Sequence, residues 1–280
     1  MSGIYIHIPF CKKACHYCNF HFSTNQNSKS AFIKAVCQEL ILRKSEHATE
    51  EIQSIYFGGG TPSLLEVSEL NTILQIIEQH YKVCDSSEIT LEANPDDLNL
   101  EKVKALSNTK INRLSIGIQS FSESDLKAMN RAHNATEAKK CLKIATSYFD
   151  NITIDLLFGI PTMSEDQWRQ NLQTAFGFGI KHLSCYALTV EPKTALEHFV
   201  KKGSHPPMDD ELSAKHFEVL LEETQTQGLT HYETCSFGLP GYFSRHNTIY
   251  WLGKSYMGVG PSAHSFDGKS RSWNISNNTK

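Results

Sequence analysis

Three cysteines, Cys11, Cys15 and Cys18, lie within eight residues near the start of this 280-residue chain. Thiols this close together in a long chain are more typical of a metal site than of a disulfide framework. With His16 or His21 as a fourth ligand, they would complete a tetrahedral zinc site. Structural zinc ligands usually come as two separated pairs, and the sequence has no second pair. Three thiolates on an iron–sulfur cubane would instead leave one iron free to bind a small molecule.

A glycine-rich stretch, GGGTP, spans residues 58–62 directly after the apolar run SIYF. It lacks the lysine of a Walker A loop and the GxGxxG spacing of dinucleotide-binding folds. Taken alone, it predicts a tight turn that needs the conformational freedom of glycine. The stretch by itself therefore identifies no ligand.

Four further polar residues stand at the ends of apolar runs: Glu92 in EANP, Gln119 in GIQS, Arg131 in MNRAH and Asp155 in IDLLFG. A single charged residue in such a place is most often solvated or part of a salt bridge. Asp155 differs because it interrupts an apolar run, and an unpaired carboxylate inside a sheet is costly. Either a bound ligand or a buried arginine would satisfy it.

Short β-rich runs alternate with segments of helical period and predict six βα units. The predicted strands cover residues 4–8, 54–57, 88–93, 112–119, 151–159 and 182–188. Such units predict an α/β fold with a parallel sheet and right-handed crossovers. Because a closed TIM barrel has eight units, six predict an open, partial TIM-like barrel. The cysteine, glycine and polar motifs each follow a predicted strand, so we expect them to meet at one end of this barrel.

The pattern changes after about Leu196, where the even alternation of strands and helices ends. A helix is predicted over residues 209–227 and a short strand over residues 231–237 (HYETCSF), followed by a stretch rich in glycine, histidine and aromatic residues. We therefore expect a core domain over residues 1–236. Residues 237–280 are expected to form the start of a smaller, incomplete C-terminal α+β region.

The composition describes a soluble globular protein, with 40% hydrophobic and 20% charged residues. A formal net charge of −3 and the lack of a basic tract argue against nucleic-acid binding. The sequence has neither a secretory signal pattern nor an apolar run of the ~18 residues that a membrane span requires. These features predict a cytoplasmic protein without a transmembrane segment.

The spacing Cys-x3-Cys-x2-Cys after the first strand, with Tyr17 before the last cysteine, resembles the radical SAM superfamily. The order of YIHIPFC, GGGTPSLL, EANP, SIGIQS, NRAH and DLLFGIP is similar to that of the oxygen-independent coproporphyrinogen III oxidase family, over nearly the whole chain. The resemblance implies a [4Fe–4S] cluster on Cys11, Cys15 and Cys18, with S-adenosylmethionine (SAM) on the open iron. It also implies a SAM pocket lined by Tyr5, Gly59, Gly60, Thr61, Glu92, Gln119, Arg131 and Asp155.

Two classes of that family differ beside the cysteines. The oxidase class has a fourth cysteine two residues after the third, whereas the HemW class, thought to carry haem to acceptor proteins, lacks it. Phe20 stands at that position here. The resemblance therefore implies a HemW-type haem chaperone that delivers haem to acceptor proteins. The alternative is an active enzyme, either the oxidase or another radical SAM enzyme.

The segment RHNTIYW (245–251) matches the HNxxYW motif linked to haem binding in the HemW class. The match implies haem-binding residues His246, Asn247, Tyr250 and Trp251, with His246 as a ligand of the haem iron. The other interpretation is a polar-aromatic loop packed on the barrel, with His246 hydrogen-bonded structurally. His264, in the glycine-rich turn GVGPSAHSF, is a further candidate.

Overall fold

One sheet of eleven strands runs through the residues that the computed structural model describes, 2–46 and 50–279. In chain order the strands are β1 (Ser2–Ile8), β2 (Glu51–Gly59), β3 (Lys82–Ala93), β4 (Arg113–Gln119), β5 (Ile152–Phe158), β6 (His182–Ala187), β7 (Thr230–Glu233), β8 (Ser236–Gly238), β9 (Tyr256–Val259), β10 (His264–Phe266) and β11 (Arg271–Trp273). Their order across the sheet is β11-β10-β9-β1-β2-β3-β4-β5-β6-β8-β7. The six strands β1 to β6 are parallel neighbours, which confirms the predicted partial barrel.

Helices connect the parallel strands and cover the outside of the sheet. In chain order they are α1 (Lys29–Leu42), α2 (Val67–His80), α3 (Leu100–Ser107), α4 (Glu123–Ala128), α5 (Ala135–Ala145), α6 (Glu165–Gly177), α7 (Ala195–Lys201), α8 (Asp210–Thr226) and α9 (Arg245–Trp251). Capping boxes begin α2, α5 and α6, the last at the predicted Ser164. Helices α7 and α9 were not anticipated from the sequence. Within the described residues, no helix has the length and apolar character to cross a membrane.

Alternation along the strands separates an apolar outer face from a polar inner face. On β1, Ile4, Ile6 and Ile8 are fully buried on the outer face, each contributing roughly 1.5–3 kcal/mol of burial free energy. Tyr5 lies between them on the opposite, inner face. The same alternation on β5 directs Asp155 to the inner face while Ile154 points outward.

The strand register brings the inner-face residues of neighbouring strands together. Tyr5 pairs with Tyr56, and Asp155 pairs with Ser184. Barrels of this class usually fill their interior with branched apolar side chains. A polar interior is costly unless it has partners, so this lining indicates a binding cavity.

The strand predicted over residues 231–237 is wrong, because two antiparallel strands, β7 and β8, occupy that stretch. They turn at Thr234 and Cys235, residues that carry none of the glycine or proline signals of a turn. The Glu233 side chain accepts the Cys235 amide at 3.2 Å, and the Cys235 carbonyl accepts the Cys185 amide of β6 at 2.7 Å. These bonds satisfy the backbone amide and carbonyl of Cys235, so the turn is held without a glycine.

The chain after α9 continues the same sheet on its other side. Strand β9 runs parallel to β1, with Gly3 opposite Tyr256, and β10 and β11 follow as antiparallel strands. Helix α9 contacts β1 and β2. The domain boundary expected at residue 236 stays a prediction.

Candidate cofactor site

The three cysteines line a cavity of about 420 Å³ at the carboxyl-terminal ends of the parallel strands. This volume lies in the range of pockets that enclose small ligands. All the residues predicted for the cluster and SAM except Tyr5 line it, namely Cys11, Cys15, Cys18, Gly59, Gly60, Thr61, Glu92, Gln119, Arg131 and Asp155. The fold thus brings together motifs that are up to 144 residues apart in the chain.

We call the cavity lined by the cysteines the upper cavity. Contacts to two neighbouring loops hold the cysteine loop over it. Lys12 Nζ forms a salt bridge with Asp96 at 2.8 Å. Asn130 Nδ2 donates to the Ala14 carbonyl at 2.8 Å. The loop is therefore fastened to the segments that follow β3 and β4, which fixes where the thiols point.

Two of the thiols accept hydrogen bonds from residues of the upper cavity. Arg131 Nη1 lies 3.3 Å from Cys15 Sγ, and Thr61 Oγ1 lies 3.5 Å from Cys11 Sγ. Burial raises the pKa of Cys11 to about 11 and also raises the pKa of Cys18. These two thiols stay protonated at neutral pH unless a metal centre binds them as thiolates.

The histidines considered as zinc ligands have other partners. His16 Nδ1 bonds the Ala128 carbonyl at 2.9 Å, and His21 Nε2 bonds Asn278 Oδ1 at 2.7 Å. In the part of the chain that the structure describes, no group of three or more His, Cys, Asp or Glu side chains is arranged to hold a single metal ion. The structure therefore does not assemble the Cys3His set considered from the sequence.

The glycine turn after β2 packs closely under the cysteine loop. Gly59 has a φ of +109°, and a Cβ there would lie 2.6 Å from the His7 ring. A Cβ on Gly60 would lie 2.8 Å from two backbone carbonyls and 3.1 Å from Cys11 Sγ. Glycine is thus required both for the turn and for the close approach of its backbone to the cavity.

Two half-buried carboxylates, Glu92 and Asp155, line both the upper cavity and a neighbouring cavity. Glu92 accepts the Tyr56 hydroxyl at 2.8 Å and the Gly59 amide at 3.1 Å. Burial raises the pKa of Glu92 to about 7 and that of Asp155 to about 6, while Arg113 and then Arg131 pull the pKa of Asp155 down. Such groups suit the hydroxyl and ammonium donors of a bound ligand.

Arg131 crosses the upper cavity and is incompletely satisfied. Its Nη2 donates to Asn94 Oδ1 at 2.7 Å and to the Gly117 carbonyl at 2.8 Å, whereas its buried Nε has no partner among the described residues. Gln119 beside it has a φ of +66°, which a non-glycine residue rarely adopts and which is typical of functional sites. The thiols, the glycine turn and this orphaned donor together fit a cluster with SAM.

Several polar residues of the cavity walls are absent from the sequence-based prediction, including Tyr56, Asn94, Ser115 and Tyr186. Their signal was the alternation along each strand, where a polar residue at every second position of an apolar run marks the inner face. Asn94 also stood in the quoted motif EANP.

A second, lower cavity of about 270 Å³ lies deeper in the barrel and shares Glu92, Asp155 and Phe20 with the upper one. Tyr5, predicted for the SAM pocket, lines only this lower cavity, and its hydroxyl lies 3.2 Å from His7 Nδ1. His246, Asn247 and Tyr250 of the HNxxYW segment line it as well. Tyr5 therefore meets Gly59, Glu92 and Asp155 of the predicted SAM pocket in the lower cavity, away from the cysteines.

The HNxxYW segment forms helix α9, and its histidine is almost fully buried at the wall of the lower cavity. His246 is 1% exposed; its Nδ1 bonds Ser54 Oγ at 2.8 Å and its Nε2 bonds the Tyr250 hydroxyl at 2.8 Å. Burial lowers its pKa to about 3. Trp251 is 63% exposed and lines neither cavity. This geometry is what the structural interpretation of the motif expects, and the iron-ligand role of His246 stays a prediction.

Residues 5–175 match the radical SAM superfamily. The chain is 35% identical to the heme chaperone HemW of Bacillus subtilis, over 98% of this chain and 73% of that protein. It is 34% identical to the heme chaperone HemW of Escherichia coli, over 94% of this chain and 69% of that protein.

Among solved structures, the chain is similar to the radical SAM enzyme coproporphyrinogen III oxidase (HemN) of Escherichia coli, with a TM-score of 0.85. The match covers 99% of this chain and 67% of that one, at 21% identity. At this identity the likeness shows the fold, a radical SAM barrel, and does not transfer the oxidase activity.

Proposed function

Because the chain belongs to the HemW haem chaperone family of the radical SAM superfamily, we propose that it binds haem and delivers it to acceptor proteins. Its resident cofactors are a [4Fe–4S] cluster and SAM. The observation that carries the choice of chaperone over oxidase is Phe20, which offers no thiol at the position of the oxidase's fourth cysteine. Phe20 is 69% exposed and lines both cavities.

The upper cavity supplies a partner for each part of the cofactor pair. Cys11, Cys15 and Cys18 hold the cluster, and the guanidinium of Arg131 suits the carboxylate of SAM. Glu92 and Asp155 accept its hydroxyl or ammonium donors. When bound, the cluster and SAM supply one-electron chemistry that the protein side chains alone cannot perform.

The acceptor proteins and the cytoplasmic location are part of the same proposal. All eight cysteines of the chain are free thiols in the structure. Free thiols persist in a reducing compartment, which supports a cytoplasmic site of action.

The test is a haem titration of the purified chain after anaerobic reconstitution of its cluster. We expect a Soret band that saturates with added haem, and transfer of that haem to an apo haem protein such as apomyoglobin used as the probe. A band at the level of free haem in buffer would contradict haem binding. In parallel, coproporphyrinogen III incubated with SAM and dithionite should give no decarboxylated product, and its formation would identify the oxidase instead.

A further inference from the structure

A second histidine, His264, differs from His246 in being open to solvent. It begins β10 and is exposed, and its ring stacks on that of Trp273 at 6.0 Å between centroids. Over residues 2–46 and 50–279, no hydrogen-bond partner occupies either nitrogen of this imidazole. Trp273 is itself 68% exposed. An imidazole with unbonded nitrogens beside an exposed aromatic ring offers an iron ligand and nearby apolar contact area for a macrocycle.

The register of the two last strands collects four side chains on one side of the β10–β11 hairpin. His264 lies opposite Trp273, and Phe266 lies opposite Arg271. Directly opposite residues point to the same face of a sheet. We call this set, His264, Phe266, Arg271 and Trp273, the hairpin face. It combines an imidazole, two aromatic rings and a guanidinium.

The hairpin face continues the inner face of the barrel. Phe266 pairs with Tyr256 of β9, and Tyr256 pairs with Gly3 of β1, on the side where Tyr5 lines the lower cavity. Ring contacts follow the same path: Tyr256 lies 6.2 Å from Phe266 and 4.5 Å from Tyr250. The hairpin face therefore begins where the lower cavity ends.

Contacts on the opposite side hold the hairpin in place. Ser265 points away from the hairpin face, and its Oγ accepts Arg43 Nη2 at 3.1 Å and the Gly258 amide at 2.9 Å. Arg43 also bonds the Gly258 carbonyl at 2.7 Å. The hairpin is thus preorganised against α1, while His264 and Trp273 have no such restraint on their exposed side.

Charge complements this arrangement. The Arg271 guanidinium lies over the Phe266 ring at 6.0 Å and is exposed. Haem is a planar, largely apolar ring with two carboxylates at one edge. An exposed guanidinium beside aromatic rings suits such a carboxylate, because arginine binds carboxylates with two parallel hydrogen bonds.

The HNxxYW region does not fit haem in the same way. The lower cavity, at about 270 Å³, is smaller than the ~300–1,000 Å³ pockets that enclose drug-sized ligands. Both nitrogens of His246 are already bonded, so an iron bond would break the contact to Ser54 or to Tyr250. Haem therefore fits better farther out along the sheet, on the hairpin face.

We propose that haem docks on the hairpin face, with His264 as its iron ligand, Trp273 against the macrocycle and Arg271 at a propionate. This inference rests on the proposed function, since it names the site at which the chaperone takes its haem. His246 then has a structural role in packing α9 on the barrel, through its bonds to Ser54 and Tyr250, and no part in binding haem.

Three single-histidine variants of the cluster-loaded chain test the assignment. His264→Ala is expected to weaken haem binding at least tenfold and to remove the absorption and electron paramagnetic resonance features of histidine-ligated haem. His246→Gln, which keeps hydrogen-bonding capacity, is expected to bind haem within twofold of wild type. His198→Ala is the matched control, because His198 is also exposed beside an aromatic ring, Phe199, at 6.1 Å.

Two further experiments separate loss of the iron–histidine bond from a general loss of haem binding: rescue with free imidazole, and replacement of haem by its dimethyl ester. Free imidazole added to His264→Ala is expected to restore the histidine-ligated spectrum. Arg271→Gln is expected to weaken haem binding about fivefold. It should bind haem dimethyl ester as well as the wild-type chain does, because the ester has no carboxylate for Arg271 to bind.

Each contrary result has a separate meaning. Wild-type binding and spectra in His264→Ala, or loss of haem in His246→Gln with an intact cluster, would overturn the hairpin face and leave the proposed function standing. An absence of saturable binding by wild type would defeat both. If the hairpin face instead seats a second copy of the chain, sedimentation will show a dimer that Trp273→Ala disrupts, and this too would overturn the proposal.

Discussion

Helix α9 and the β10–β11 hairpin each place a histidine beside aromatic rings, but the two regions use these residues differently. In α9 the ring of His246 is enclosed between Tyr56 and Tyr250, at 5.0 Å from each. In the hairpin the ring of His264 has one aromatic neighbour and otherwise faces solvent. A ligand needs a free nitrogen and an approach path, so similar residue types can serve stability in one region and binding in the other.

The buried histidine is part of how α9 packs on β1 and β2. A Cβ on Gly3 would lie 3.2 Å from His246 Nδ1 and 2.8 Å from Ser54 Oγ, so β1 has a glycine where the helix approaches. The Glu88 carboxylate accepts the amides of Arg245 and His246 at 3.1 and 3.2 Å. Buried polar groups satisfied in this way rigidify a structure, and α9 is accordingly a fixed wall of the lower cavity.

The largest expected effect is the loss of the cluster in a cysteine variant, which should leave both histidine regions unchanged. Cys15→Ser removes a thiolate that also accepts Arg131, and we expect iron and sulfide content to fall at least about tenfold. Haem binding on the hairpin face should persist, because that face shares no residue with the cysteine loop. Elemental analysis and the Soret titration measure the two quantities, with Cys84→Ser as the matched control. Full iron retention in Cys15→Ser would refute the ligand assignment.

The next largest effect is on the free energy of unfolding, which should fall much more when His246 is removed than when His264 is removed. His246→Ala opens a cavity and leaves Ser54 Oγ and the Tyr250 hydroxyl without their partner, so we expect a loss of about 2–4 kcal/mol in the free energy of unfolding. His264→Ala removes an exposed ring and should change it by less than about 0.5 kcal/mol. Urea denaturation of both variants checks the contrast. Equal losses would show that the two regions are not built differently.

The pH dependence of the unfolding free energy should reflect the lowered pKa of the buried His246. Because burial lowers the pKa of His246 to about 3, the folded chain binds fewer protons there than the unfolded chain, whose histidine has a pKa near ~6.5. Its contribution to stability is therefore complete above that value. It falls by up to about 1.4 kcal/mol per pH unit as the pH drops below it.

His246→Gln isolates this effect. The difference in unfolding free energy between wild type and the variant should shrink from pH 7.5 to pH 5.5, while the opposing contributions of Glu92 and Asp155 cancel in the difference. A constant difference across this range would mean that His246 titrates normally in the folded chain.

The smallest expected effect concerns two exposed tryptophans. Trp273→Ala should raise the haem dissociation constant about fivefold, which corresponds to an aromatic contact of about 1 kcal/mol. The HNxxYW motif by itself predicts the larger loss for Trp251→Ala. Haem titrations of both variants decide between them, and a larger loss in Trp251→Ala would favour α9 over the hairpin face.

The barrel and most of the upper cavity could be predicted from the sequence because their signals are local. Each motif follows its own strand, and parallel strands bring their carboxyl ends to one edge whatever the length of the connections. The GGGTP turn illustrates this, since its glycines satisfy a positive φ at Gly59 and contact the cysteine loop at once.

The lower cavity and the two histidine environments depend on pairings that the sequence does not reveal. The position of Tyr5 follows from its register with Tyr56, and the hairpin face follows from the pairing of Phe266 with Tyr256 across two strands. The burial of His246 requires α9 to dock on β1 and β2, far away in the chain. A motif match identifies residues. Whether their side chains are exposed and have unbonded nitrogens depends on these long-range contacts.

The separation of the cofactor and haem sites is tested most directly by titrating haem into the wild-type chain loaded with cluster and labelled SAM, followed by equilibrium dialysis. If the upper cavity holds the cofactors and the hairpin face takes haem, the Soret band saturates at one haem per chain while the bound SAM and the cluster iron remain unchanged. Release of SAM as haem binds would contradict the separation of the two sites.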